Sequence, residues 1–296
     1  MAPTRGGLRL RSVGIAGIRK PLSVQRKDGV HTLAATFDVS VDLPSGRKGS
    51  DLSRNAEVLA EIVDHTVVEP VESLEAACSA IARELLTRHS YATEGTVNAS
   101  AGYFLRKGIS EERRSFEDYL LLAEARATRQ EDGGITLRRG IGAEAVGMTA
   151  CPCAMETCRE KLTEEYPLLA DPRLATLPMI SHNQRNRTRL ILETDDRTGV
   201  EVDDLIAAIE NAQSSPTYAI LKRGDEGRVV LNAHRNPKFV EDVLRDLLAS
   251  LPGRFPSVPD DVVVLARTVS EESIHKYNVE ASHRISLGEL RRSAEP

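Results

Sequence analysis

A chain of 296 residues with 41% hydrophobic and 28% charged side chains can form one large domain or two medium ones around a real core, which excludes disorder and collagen-like repeats. Its formal net charge of −5 excludes broad nucleic-acid binding, because neutralising phosphates along a duplex takes a basic field over a whole face. The N-terminal stretch MAPTRGGLRLRSVGIAGIRKP has scattered Arg and Lys without a signal-peptide core, and no later run could span a bilayer, so the reading is a cytoplasmic protein with no membrane partner.

Residues 32–43, TLAATFDVSVDL, alternate apolar and small polar side chains as a half-buried strand does, and Pro44-Ser45-Gly46 turns it into a polar, basic loop. A helix follows, with Leu52, Leu59, Ile62 and Val63 on one face and Ser53 as its N-cap. A second helix carries Leu74, Cys78, Ile81 and Leu85 on its stripe, which makes Cys78 a small core hydrophobe. Segments 95–107 and 118–130 read as strands, and Asp132-Gly133-Gly134 as the turn of a hairpin into a strand at 135–149. The second half repeats this order. It has a strand at 187–194, a helix from Val202 to Ala212, strands at 218–222 and 228–234, a helix begun by Asn236-Pro237, and a strand at 261–269 before a C-terminal segment. The pattern predicts an α+β protein of two tandem modules, 1–130 and 131–296, with antiparallel sheets and paired helices.

Three of the four cysteines, Cys151, Cys153 and Cys158, fall within eight residues, too sparse for a disulfide scaffold and suited to a metal or redox role. Cys151-Pro152-Cys153 follows a strand, which presents the first thiol at a strand end. A structural zinc knuckle would use paired CxxC spacing, and no second CxxC occurs. His182 opens the string His182-Asn183-Gln184-Arg185-Asn186-Arg187, an imidazole beside amides and guanidiniums. That composition suits a metal next to a phosphorylated ligand, although alone it also describes a solvated polar loop. Glu226 ends a Lys-Arg-Gly-Asp-Glu turn, Glu241 stands early in a helix where a carboxylate also complements the dipole, and His275 lies in Glu272-Ser273-Ile274-His275.

In this order the Cys-Pro-Cys, His-Asn-Gln-Arg, Lys-Arg-x-Asp-Glu, Asn-Pro-Lys-Phe-Val-Glu-Asp and Glu-Ser-Ile-His strings resemble the GTP cyclohydrolase IB family. So do Asp42-Leu43-Pro44-Ser45, Arg47-Lys48-Gly49 and Ser53-Arg54, so the likeness spans nearly the whole chain. The resemblance implies tandem tunnelling-fold modules, a homotetramer with active sites at subunit interfaces, and one divalent metal per site (zinc, manganese or iron(II)). It further implies Cys151, His182 and Glu226 as metal ligands, Glu241 as the guanine anchor, His275 as the proton carrier and Glu272 as its support. The implied reaction is hydrolytic opening of the guanine imidazole ring of GTP, with loss of formate, to 7,8-dihydroneopterin triphosphate.

That chemistry suits these residue types. A divalent ion lowers the pKa of bound water from 15.7 towards about 7, and three protein ligands leave a position open for it. A histidine can shuttle protons at cellular pH, and one carboxylate accepts both donors of the guanine edge. Arg47, Lys48, Arg54, Arg185 and Arg187 are the candidates for the triphosphate, the first pair just ahead of a helix N-terminus.

Three departures from the family pattern stand out. The stretch before His182 is long and carries Pro167, Pro172 and Pro178, Asp51 replaces an expected histidine, and Ser214-Ser215-Pro216-Thr217-Tyr218 is closer to the archaeal iron-dependent branch, which makes a cyclic phosphate. Competing readings are another tunnelling-fold pterin or purine enzyme, and a metal-stabilised binding module closed by Cys153 or Cys158.

Overall fold

The structure, a computed structural model, describes residues 7–26, 29–195 and 199–293. The first six residues of the basic N-terminal stretch lie outside them. Among the described residues nine strands and seven α-helices alternate along the chain. In chain order they are β1 (Leu10–Arg26), β2 (Gly29–Leu43), α1 (Leu52–His65), α2 (Leu74–Arg88), β3 (Glu94–Gly108), β4 (Arg114–Arg129), β5 (Ile135–Ala150) and α3 (Pro152–Glu165). After two short 3₁₀ turns come β6 (Asn183–Thr194), α4 (Val202–Ala212), β7 (Ser215–Pro216), α5 (Arg223–Arg235), α6 (Val240–Arg254), β8 (Val263–Ser270), β9 (Val279–Ser286) and α7 (Leu287–Ser293). The strand order is β1-β2-β3-β4-β5-β6-β8-β9, with β7 on β5, and the pairs β1·β2, β2·β3, β5·β7 and β8·β9 are antiparallel. The α+β class with an antiparallel sheet is thus as the sequence predicts.

The chain forms two compact units, each assembled from separated stretches. Of the described residues, those within 1–103, 120–142 and 191–198 make up one, and those within 104–119, 143–190 and 199–296 the other. In the first, the alternation of β2 turns Ala35, Phe37, Val39 and Val41 inward, where they meet Val58, Leu59 and Val63 of α1 and Ala77, Cys78, Ile81 and Leu85 of α2, all essentially without solvent exposure. Ser73 caps α2 by accepting from the Ala76 N–H at 3.2 Å. Asp42 is buried at the end of β2 and accepts from the N–H groups of Thr93 and Glu94, at 2.7 and 2.8 Å. Burial alone would raise its pKa, but those bonds, the Thr93 hydroxyl and the Arg9 guanidinium outweigh it and hold the carboxyl below its ordinary range.

In the second unit, Leu205, Ile206 and Ile209 of α4, Val243, Leu247 and Leu251 of α6, and Val264 and Ala266 of β8 form the core. Inside it Asn186, Thr188, Gln213 and Thr268 satisfy one another. The Asn186 amide donates to Gln213 at 2.8 Å, the Gln213 amide to Thr188 at 3.0 Å, the Thr188 hydroxyl to Thr268 at 2.8 Å, and the Thr268 hydroxyl back to Asn186 at 3.0 Å.

Four sequence expectations change. Residues 228–234 are helical, in α5, rather than a strand, and of 218–222 no part is a strand. The run Val229-Val230-Leu231 favours β structure locally, yet Val229 and Ala233, four residues apart, are the apolar side chains that α5 buries, and tertiary packing decides. The helix expected at Asn236-Pro237 starts at Val240, where the Asp242 carboxylate accepts from the Phe239 N–H at 3.0 Å. The cap of α1 is Asp51 instead of Ser53. Beyond these four, β1 is a 17-residue strand that its sequence conceals, because two register shifts interrupt its pairing and Gly17 sits at φ +73°.

Candidate active site

The end of β5 delivers Cys151. Its backbone is extended (ψ 119°), and Pro152 follows as the first residue of α3, so the strand stops and the helix starts around the thiol. The Cys151 N–H donates to the His182 carbonyl at 3.1 Å, and the Ser181 hydroxyl donates to the Cys151 carbonyl at 2.6 Å. Two residues 31 positions apart therefore arrive side by side. The Lys238 N–H donates to the Ala150 carbonyl at 3.1 Å, which ties the start of α6 to the same strand end.

Around this junction lies a cleft of about 210 Å³, lined by Cys151, His182, Glu241, Glu272, His275 and Tyr277 among others. Five of the predicted site residues thus share one cavity. His182 is half-buried, and its Nδ1 faces the Gln184 Oε1 at 2.9 Å. That oxygen only accepts, so Nδ1 carries the proton and the lone pair of the neutral ring lies on Nε2, the arrangement a metal-binding imidazole requires. The Gln184 amide donates on to Glu272 at 3.4 Å, and the Ser270 hydroxyl donates to the same carboxylate oxygen at 2.9 Å. His275 stacks on Tyr277 with ring centroids 5.0 Å apart and planes within 9°. Glu241 stands exposed in the first turn of α6.

Glu226 is not on this lining. It lies exposed near the start of α5. His234, eight residues on and so about 12 Å further along the helix axis, is the part of α5 that comes near the Cys151–His182 junction, with Nε2 3.4 Å from the Ser181 carbonyl. Among the described residues no three His, Cys, Asp or Glu side chains converge as a metal set. The donor chemistry therefore fits a divalent ion through two groups of one chain, the Cys151 sulfur and the His182 Nε2. Cys153 is exposed on α3 and, like Cys158, stands off the cleft lining.

The basic candidates divide between the units. Arg185 projects exposed from β6. Arg187 pairs with the buried Glu144 at 2.7 Å, which it shares with Arg189, and with Glu271 at 3.5 Å, so its charge is already matched. In the other unit, Asp51 accepts from Arg47 at 2.8 Å and lies 3.0 Å from Arg54, while Lys48 is exposed. These contacts explain why Asp51 begins α1 without spending its side chain on the cap.

Sequence reasoning missed three contributors. Gln184, two residues from His182 and so on the same face of the strand, was legible from strand periodicity. Tyr277 bears the same spacing to His275. Lys238 carried no signal, since its partners come from elsewhere: its buried ammonium donates to the Ala212 carbonyl at 2.8 Å and pairs with Asp246 at 2.7 Å.

Known proteins resemble this chain in sequence over nearly its full length. A family model for type I GTP cyclohydrolase folE2 matches residues 2–281. GTP cyclohydrolase MptA of Methanococcoides burtonii is 39% identical over 292 residues, covering 96% of this chain and 92% of that protein. MptA 2 of Methanocella arvoryzae is 40% identical over 292 residues, covering 96% and 94%. Among solved structures, the uricase of Arthrobacter globiformis superposes with a TM-score of 0.54 over 93% of each chain at 7% identity, a likeness of fold alone that makes this the tunnelling fold. No helix among the described residues is long and apolar enough to cross a membrane. Extended matches of this kind, over a cleft that gathers cysteine, histidine and carboxylate side chains, place the chain in the type I GTP cyclohydrolase family, as a GTP cyclohydrolase.

Proposed function

We propose that the Cys151–His182 cleft hydrolyses the imidazole ring of GTP at C8 and releases that carbon as formate. The observation that carries this reading is the convergence of Cys151, His182, Glu241, Glu272 and His275, drawn from four separate stretches of sequence, on one cavity.

Each side chain has a task set by its chemistry. Glu241 accepts the N1–H and 2-amino donors of guanine as a bidentate pair and fixes the base. Water adds at C8, the C8–N9 bond breaks with a proton delivered to N9, and hydrolysis of the resulting N-formyl group frees formate and leaves the amine on N7. His275 is the group we assign to carrying those protons, since an imidazole exchanges them at cellular pH. Glu272, held by Gln184 and Ser270, keeps a carboxylate on the same cleft lining. A divalent ion (zinc, manganese or iron(II)) held by Cys151 and His182 would supply the acidity that makes water nucleophilic near neutral pH. Within one chain, the remaining coordination positions are left to water, substrate or a neighbouring copy.

The cleft of a single chain is smaller than the roughly 300–1,000 Å³ of ordinary ligand sites. This supports an enzyme whose subunits complete one another's sites, and we read it as a homotetramer. Arg47, Lys48, Arg54 and Arg185 are the groups we assign to the triphosphate.

After ring opening, rearrangement of the ribose and closure give a 7,8-dihydroneopterin product. One reading keeps the open triphosphate. A second, the 2′,3′-cyclic phosphate, is favoured by the Ser214–Tyr218 string and by the relatives named MptA. Incubating metal-loaded protein with GTP and following formate, oxidised-pterin fluorescence and the ³¹P spectrum tests both. One formate per GTP supports the hydrolase, and no product with any of the three metals removes it. A strained-diester phosphorus signal accompanied by the signal of released diphosphate marks the cyclic product, and three coupled signals mark the triphosphate.

A further inference from the structure

A polar chain runs through the first unit from the sheet to the basic loop that precedes α1. Asn55 of α1 and His89 at the end of α2 are completely buried. The Asn55 amide donates towards the Val39 carbonyl of β2 at 3.5 Å, which leaves its Oδ1 to accept from the His89 Nε2–H at 2.7 Å. With that proton on Nε2, the His89 Nδ1 is an acceptor, and it takes the Tyr91 hydroxyl at 3.0 Å. The Tyr91 oxygen then accepts from the Ser50 hydroxyl at 2.9 Å. Every donor in the series has one direction available, so the hydroxyl of Tyr91 is fixed at both ends.

The ring that this chain fixes serves as a platform. The Arg47 guanidinium lies over the Tyr91 face, its carbon 3.9 Å from the ring centroid, close enough for a strong cation–π contact. Its Nε donates to the Gly49 carbonyl at 3.1 Å and its terminal nitrogen to Asp51 at 2.8 Å. A long arginine otherwise samples many rotamers, and a guanidinium recognises phosphate by a planar fork whose orientation matters. Here the orientation comes from a tyrosine that two wholly buried polar residues hold in place.

We infer that Tyr91, seated by His89 and Asn55, is the positioning residue of Arg47, and that it presets the guanidinium for an anionic phosphate of the substrate. This rests on the reading of Arg47 as a triphosphate ligand. Tyr91 is given no contact with substrate, so its removal acts on affinity through Arg47 and leaves the chemical step alone.

The test is a set of steady-state measurements on the whole metal-loaded enzyme with GTP, comparing wild type, Tyr91→Phe, Tyr91→Leu, Arg47→Ala and the Arg47→Ala/Tyr91→Leu double variant. Tyr91 is only half-buried, and Tyr91→Phe keeps the ring, so melting temperatures identify any variant that fails to fold. Tyr91→Leu is expected to raise KM for GTP roughly fivefold or more with kcat within about twofold of wild type, and Tyr91→Phe to raise it less. The double variant is expected to match Arg47→Ala alone. An unchanged KM in Tyr91→Leu, a loss confined to kcat, or an increase that persists in the Arg47→Ala background overturns the assignment. If Arg47→Ala itself leaves KM unchanged, the phosphate reading of Arg47 is what fails. A crystal structure of Tyr91→Leu then decides the positioning claim: a displaced Arg47 guanidinium upholds it, and one still in its wild-type place overturns it.

Discussion

His89 shows how a single buried side chain sets a response to pH. Burial, with the Arg54 charge nearby, pushes its imidazole below the ordinary histidine range, so the folded protein holds it neutral where the unfolded chain takes up a proton. Its stability contribution is complete above the unfolded pKa of about 6.5 and is lost as pH falls below that value. Thermal unfolding followed from pH 7.5 to 5 should show a falling melting temperature, and His89→Gln should flatten the slope. A slope unchanged by that substitution would place the sensitive group elsewhere. The chemistry-bearing residues of the cleft were legible one at a time, because Cys151 and His182 stand at strand ends and Glu241 at a helix start. What the sequence could not supply is that the Gln184 oxygen fixes the His182 proton, or that Lys238 is buried. Both depend on atoms brought from remote positions.

At the scale of elements, Gly95 marks where α2 meets β3. A β-carbon there would stand 2.9 Å from the Ala82 carbonyl oxygen and 3.4 Å from the Leu85 side chain, and backbone cannot retreat as a flexible side chain can. Gly95→Ala should therefore force α2 outward and cost about 1–3 kcal/mol of stability, measured by denaturant unfolding; a neutral effect would show that this contact is slack. The same logic explains which elements were readable. The strands β2, β3 and β4 and the helices α2 and α4 advertise themselves by period because each buries one face. In contrast, β1 loses its alternation at two register shifts, and α5 hides behind a run of β-favouring residues of which it buries only Val229. The hairpin between β4 and β5 was foreseeable from Asp132-Gly133-Gly134. Gly133 takes φ +84°, and the Asp132 carboxylate accepts from the Gly134 N–H at 2.8 Å.

For the whole molecule, the account requires more than one chain to finish the site, because a cleft of about 210 Å³ in which, among the described residues, no three metal-capable side chains converge is too small and too sparsely liganded alone. Light scattering coupled to gel filtration should give four times the chain mass, and a stable monomer with full activity would contradict the shared site. The measurement that bears most directly on the central claim is formate release from GTP by metal-loaded Cys151→Ala and Cys78→Ala enzymes. Cys78 is wholly buried on α2 and its thiol is pushed far above the ordinary range, so it stays an inert part of the core. The account predicts no formate from Cys151→Ala, while Cys78→Ala turns over at the wild-type rate with a lowered melting temperature. Equal formate release by the two variants would contradict it.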